Sequence, residues 1–310
     1  MYCIDFEYDG IRLSDLNSVI CCIDESADLK TVGIGSELTL NTVNTTTSNK
    51  FRIVSTQYDS AYTTTFEIGK FACGVDNYVY SEKEIAFIMR WLNRKEYLRF
   101  KPIFEDLEYS DMHMMGTFTE IEVIKIGDDV IGFHLTLTTD SPYAFYGPVK
   151  ATQLFGTFGP DNAEVVRAYY GIDLDDASSA KKSTLPSLIH LTDPLVIHDQ
   201  SDETGYIYPK VTIECMTDGQ VLFSNSRQVE LDKDDKTVIY NCVAGEIITI
   251  DGDTKQIYSS EAHSTLYNDF NWHYPKVMND FRNTENRYTL EIMTGRVTIE
   301  YSPICKAIGI

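Results

Sequence analysis

Six histidines, seven cysteines and 47 carboxylates are the side chains from which this 310-residue chain would have to build a metal site or an acid–base centre. His113, His134, His190, His198, His263 and His273 contain no HExxH and no other close ligand pair, so zinc hydrolysis has no support in their spacing. His134 falls on the polar face of a strand pattern and the others fall in loops. The cysteines are odd in number, lack CxxC pairs and are too sparse for a small secreted scaffold, so they read as reduced thiols. Cys215 and Cys305 follow strand patterns and behave as small packing hydrophobes, while the adjacent Cys21 and Cys22 would point to opposite faces of an extended segment. Carboxylates concentrate in DLDDASS (173–179) and LDKDD (231–235), but neither has the glycine and glutamate register of a calcium loop; both read as solvated loops. Nothing selects a facing pair of acids for glycoside hydrolysis, and GxSxG, P-loop and GxGxxG signatures are absent. The expectation is a protein that is not an enzyme, with no catalytic residue, no cofactor and no metal.

The aromatics leave more room. In strand-rich chains they mostly fill cores and cross-strand pairs, yet YNDFNWHYP places Tyr267, Phe270, Trp272 and Tyr274 between polar residues ahead of Pro275, in a loop-like stretch. Core packing, a protein contact and stacking on sugar are all open to these four residues.

One helix is well specified. Ser81 and Glu84 form a capping box, and Ile85, Ile88, Met89 and Leu92 recur at helical spacing. It needs a sheet to cover. FTEIEVIKI (118–126), a GDD break and GFHLTLTT (132–139) alternate as a β-hairpin that Pro142 ends. Further strands are expected at 2–8, 19–23, 37–43, 51–57 and 62–68, which makes residues 1–146 an α+β domain dominated by sheet. Residues 147–205, with Gly156, Gly159, Pro160, Gly171 and a polar run, read as a linker or insertion in which AEVVRAYY makes a helical turn. From 206 to 310 short strands return at 210–215, 220–223, 237–240, 247–250, 255–258, 288–292 and 297–301, the pattern of a β-sandwich.

Charge narrows the partners. The chain carries −21, with 13 basic against 23 acidic residues in 1–150 and 13 against 24 beyond it, so neither half suits a DNA-gripping module. No apolar run is long enough to span a membrane, and Asp5, Glu7 and Asp9 stand where a signal peptide would be basic and then apolar, so no membrane partner is expected.

In order and spacing the chain resembles the distal tail proteins (Dit) of long-tailed bacteriophages and prophages. The resemblance rests on IDFEYDGIRLSDL near the start, RWLNRKEYLRF, the two strands closing in TTDSPYAF, then YPKVTIE, ITIDGDTKQI and the terminal RYTLEIMTGRVTIEY. It implies an amino-terminal domain that closes a homo-hexameric ring between the tail tube protein and a tail-associated lysin or fibre protein, with genomic DNA passing through an acidic lumen without specific binding. It also implies a carboxy-terminal galectin-like sandwich offering a platform to receptor-binding proteins. The location implied is the virion tail tip, reached from the host cytoplasm during assembly. The competing function is a carbohydrate-binding module for host cell-wall polysaccharide. In the domain reading itself, the last residues, SPICKAIGI, are expected to pack back on the first domain.

Overall fold

The computed structural model describes residues 3–21, 38–44, 51–58, 60–70, 78–104, 111–158, 189–260, 263–291 and 293–306. The chain forms two units, residues 1–147 together with 304–310, and residues 148–303.

The first unit contains β1 (Cys3–Tyr8), β2 (Ile11–Arg12), β3 (Ser18–Ile20), β4 (Leu38–Asn44), β5 (Phe51–Tyr58), β6 (Thr63–Lys70), α1 (Glu82–Leu92), β7 (Leu98–Phe104), β8 (Met114–Ile126), β9 (Asp129–Thr139) and β10 (Ala144–Phe145). Seven of these strands make one antiparallel sheet in the order β2-β1-β7-β8-β9-β6-β3. The helix starts at Ser81, whose hydroxyl accepts from the Glu84 amide while the Glu84 carboxylate accepts from the Ser81 amide at 2.7 Å. Its covered face carries Ile88, Trp91 and Leu92, and Ile85 and Met89 are only half-buried. Trp91 anchors the helix: its indole donates to the Tyr8 carbonyl at 2.9 Å and its ring stacks on Phe6. Phe66, Phe100, Phe118 and Phe133 complete an aromatic core beneath it. β7 carries no clear strand signal in the sequence because Pro102 lies inside it. Its ladder to β8 ends at Phe100, so the missing amide donor falls where the strand has β1 as its one partner.

The second unit contains β11 (Val149–Phe158), β12 (Ile189–Leu191), β13 (Leu195–His198), β14 (Gly205–Ile207), β15 (Lys210–Cys215), β16 (Gly219–Asn225), β17 (Thr237–Cys242), β18 (Ile247–Asp251), β19 (Gln256–Ser259), β20 (Val277–Asn279), β21 (Glu285–Glu291) and β22 (Gly295–Tyr301). A six-stranded sheet, β12-β11-β22-β15-β18-β19, and a four-stranded sheet, β13-β21-β16-β17, share one core. Val211, Ile213, Ile248, Ile250, Val297 and Ile299 face it from the first sheet; Val221, Phe223, Ile239, Tyr288 and Leu290 face it from the second. Burial alternates residue by residue along β15 and β22, as a half-buried strand requires.

One expectation is corrected. Residues 147–205 are not simply a linker: β11 pairs along Val149–Phe155 with β22, and β12 and β13 extend both sheets. Gly156, which resembles a loop residue in sequence, sits in the strand at φ +110° against Thr294, where an added Cβ would lie 2.4 Å from the threonine hydroxyl. The sandwich ends at residue 303. Ile304–Cys305 (β23) pairs with β10, and Cys305 is buried in the first unit's core. The AEVVRAYY turn, the DLDDASS cluster and Cys22 lie outside the described residues.

Candidate functional site

Each histidine has a plain environment except one. His113 bridges to Phe145, His134 faces Glu67 at 3.7 Å, His190 meets Thr157 at 2.9 Å and His273 lies 3.4 Å from Asp235. His190 and His198 sit in β12 and β13 rather than in loops. Among the described residues no group of three or more His, Cys, Asp or Glu side chains is arranged to hold a metal ion, and no helix is long and apolar enough to cross a membrane. The LDKDD carboxylates are in part structural: Asp235 pairs with Lys276 at 2.7 Å and Asp232 follows the short helix Ser226–Leu231.

His263 is the exception. Its side chain is 6% exposed, and its two ring nitrogens face two carboxylates, Glu246 at 2.8 Å and Asp269 at 3.1 Å. Ionised carboxylates only accept, so a ring bonded to both must carry both protons. Burial alone would push His263 down, but its bonds to Glu246 and Asp269 outweigh burial and hold it above the ordinary imidazole value. Burial pushes Glu246 the other way, and the hydroxyl of Ser259, the amide of Val243 and His263 together hold it below the ordinary carboxylate range. The cluster ties the turn after β17, the edge strand β19 and the helical turn Leu266–Asp269 into one charged knot. Sequence gives no sign of it, because residues 246, 263 and 269 share no motif spacing.

That helical turn begins the aromatic segment, which the structure splits. Phe270 is core, 2% exposed and bridged to Ile239; Tyr274 is half-buried, with its hydroxyl donating to the Lys255 carbonyl at 2.8 Å. Tyr267 and Trp272 are 60% and 48% exposed, and their rings stack with centroids 6.0 Å apart.

The first unit has a different surface. Among the described residues β4 and β5 form a two-stranded ladder outside the seven-stranded sheet. Leu38, Leu40, Val43, Phe51, Ile53 and Val54 on this ladder are 49–71% exposed. A two-stranded ladder is marginal alone in water and needs cover, and an open strand edge is a template for pairing with another chain.

Residues 1–141 match the model of the phage tail protein N-terminal domain, and residues 180–301 match that of the phage tail C-terminal domain. The chain is therefore a structural component of a phage tail and hence of the virion. It belongs to the phage tail protein family that these two domains define, and its fold is Dit-like. Among solved structures it is similar to the Dit protein (gp 19.1) of phage SPP1, described as a paradigm of the hub adsorption apparatus in Gram-positive infecting phages, with a TM-score of 0.57 and 8% identity over 96% of this chain and 98% of that one. A chain of the phage P2 baseplate in its activated conformation with Ca aligns at a TM-score of 0.44 and 10% identity over 99% of this chain and 100% of that one. No curated protein matches the sequence.

Proposed function

We propose that this tail protein is a non-catalytic hub: a homo-hexameric ring that joins the tail tube to a tail-associated lysin or fibre protein and offers receptor-binding proteins a platform on its galectin-like second unit. The exposed apolar ladder β4–β5 carries the proposal. Its six large side chains are costly to leave in water, at roughly 1 kcal/mol for each half-buried group covered. A neighbouring copy is the partner that covers all of them once per subunit, and a head-to-tail contact repeated around an axis closes a ring. The acidity of residues 1–150 suits such a ring, since a lumen lined with carboxylates repels the DNA backbone instead of binding it.

Mass measurement on the full chain tests this. Six copies are expected, and paired Phe51→Asp and Ile53→Asp substitutions should return a monomer with wild-type far-ultraviolet circular dichroism, because both side chains are solvent-exposed in the single chain. A monomer at all concentrations and no six-fold ring in intact tails would sink the proposal. Recognition of wall polysaccharide is a second reading, favoured by the exposed Tyr267–Trp272 pair, and it concerns residues 148–303 rather than the ring.

A further inference from the structure

The aromatic segment is one end of a longer row. Tyr267 stacks on Trp272, Trp272 meets Phe270 at 5.4 Å, Phe270 meets Tyr274 at 5.4 Å, Tyr274 meets Tyr208 at 6.3 Å and Tyr208 meets Tyr206 at 5.2 Å. Phe270 is the buried keel, and Tyr267, Trp272 and the 56% exposed Tyr206 present ring surface to solvent. Lys255 lies against the faces of Tyr208 and Tyr274, and Lys276 lies over Tyr206. Two amines thus lie against ring faces within the row.

The row is held in place from below. Trp272 has φ +62°, a left-handed conformation that is an outlier for a bulky residue. Asn271 enforces it: its carboxamide oxygen accepts from the amides of Val238 (3.0 Å) and His273 (3.3 Å), and its nitrogen donates to the Lys236 carbonyl at 2.7 Å. Thr237 donates to the His273 carbonyl at 2.7 Å, and Gln228 donates to that of Tyr274 at 3.0 Å. On the other side the His263–Asp269 bond fixes the turn that bears Tyr267. Strain of this kind persists only where surrounding bonds over-determine it, and here it falls on the largest of the three exposed rings.

A row of ring faces with hydrogen-bonding groups beside them suits two ligand chemistries, nucleic-acid bases and sugars, because both present flat faces beside polar edges. Charge decides between them. A polyphosphate needs a basic groove, whereas this chain carries −21 and residues 151–310 contribute 13 basic against 24 acidic side chains. A protein hot spot favours an aromatic anchor in a compact, fully desolvated patch, whereas Tyr206, Tyr267 and Trp272 are 56%, 60% and 48% exposed. We propose that the Tyr206–Trp272 row is a binding site for an uncharged, hydroxyl-rich polysaccharide, with Trp272 and Tyr267 stacking on its sugar rings and Lys255 and Lys276 donating hydrogen bonds to its hydroxyls. The proposal stands apart from the ring, since every residue it uses lies in residues 148–303.

The chain supplies its own reporter. It has two tryptophans, and Trp91 is 2% exposed in the first unit, so a ligand-dependent change in indole fluorescence reports Trp272. The probes are neutral cell-wall polysaccharide extracted from the phage's host strain, oligo(dT) and a glycerol-phosphate teichoic acid, each titrated into the full-length protein. The neutral polysaccharide should shift the emission, and Tyr267→Ala should weaken binding about tenfold. Trp272→Ala, followed by calorimetry because the reporter is gone, should weaken it by a similar factor. Phe281→Ala, which removes an exposed ring outside the row, should change nothing, and far-ultraviolet circular dichroism should confirm that each variant is folded. Silence toward the neutral polysaccharide, a response to the polyanions alone, or a row-variant affinity equal to the wild type would overturn the site. A Trp272 signal that answers only to another tail protein would overturn it in favour of a protein contact.

Discussion

Replacing His263 with glutamine removes one positive charge and leaves two carboxylates facing each other across its former position. Glu246 is 1% exposed and depends on that charge, and breaking a buried pair by deleting one partner costs about 3 to 5 kcal/mol, against about 0 to 1 for an exposed pair. Glutamine still donates one hydrogen bond, so a loss of about 3 kcal/mol is expected, which in a unit of this size lowers the melting temperature by roughly 6 to 12 °C. The pH dependence separates charge from packing. His263 is held above its ordinary value, so its contribution is complete below about pH 6.5 and drains away as pH rises through its elevated folded value. Glu246 is held below its ordinary value, so its contribution is complete above about pH 4.5 and is lost as pH falls through its depressed folded value. Denaturant unfolding of the full-length wild type and of His263→Gln, followed from pH 4 to pH 9, should show the two curves furthest apart near pH 6 and converging toward pH 9. A constant gap across that range would mean that the ring acts by shape and hydrogen bonding alone, and no gap would refute the charged knot outright.

Expression of residues 148–303 should give a cooperatively unfolding β-sandwich, whereas residues 206–303, which lack β11 and bare one side of β22, should collapse without near-ultraviolet dichroism; equal folding of both would contradict the role assigned to β11. Ser81→Ala opens the capping box and should cost about 1 kcal/mol in equilibrium unfolding of the first unit, with a value near zero showing that packing of Trp91 alone fixes the helix start.

Local rules in the sequence explain why α1 and the β8–β9 hairpin were legible. Ser81 and Glu84 satisfy each other's backbone within one turn, and Ile121 to Leu137 alternate about a GDD break, so each signal is complete within a few residues. β7 and β11 were hidden by residues that ordinarily end strands. Pro102 is tolerated because pairing on one side has already stopped, and Gly156 is required because Thr294 leaves no room for a Cβ. The candidate surfaces divide in the same way. YNDFNWHYP could be picked out as unusual, but sequence could not separate buried Phe270 from exposed Trp272, since that difference depends on β17 running beneath the segment. Tyr206, Tyr208 and Lys255 joined the row only through tertiary contacts.

The short ladder Ala144–Phe145 with Ile304–Cys305 has a consequence for how such a gene can change. The chain leaves the first unit and rejoins it on two adjacent antiparallel strands, and the inserted unit opens and closes on another such pair, Val149 opposite Tyr301. Any module whose own ends are neighbouring strands can be spliced between 147 and 304 with both joins already side by side. Recombination at those two points would exchange the whole of residues 148–303 in one event and leave every strand of the seven-stranded sheet with its original partner.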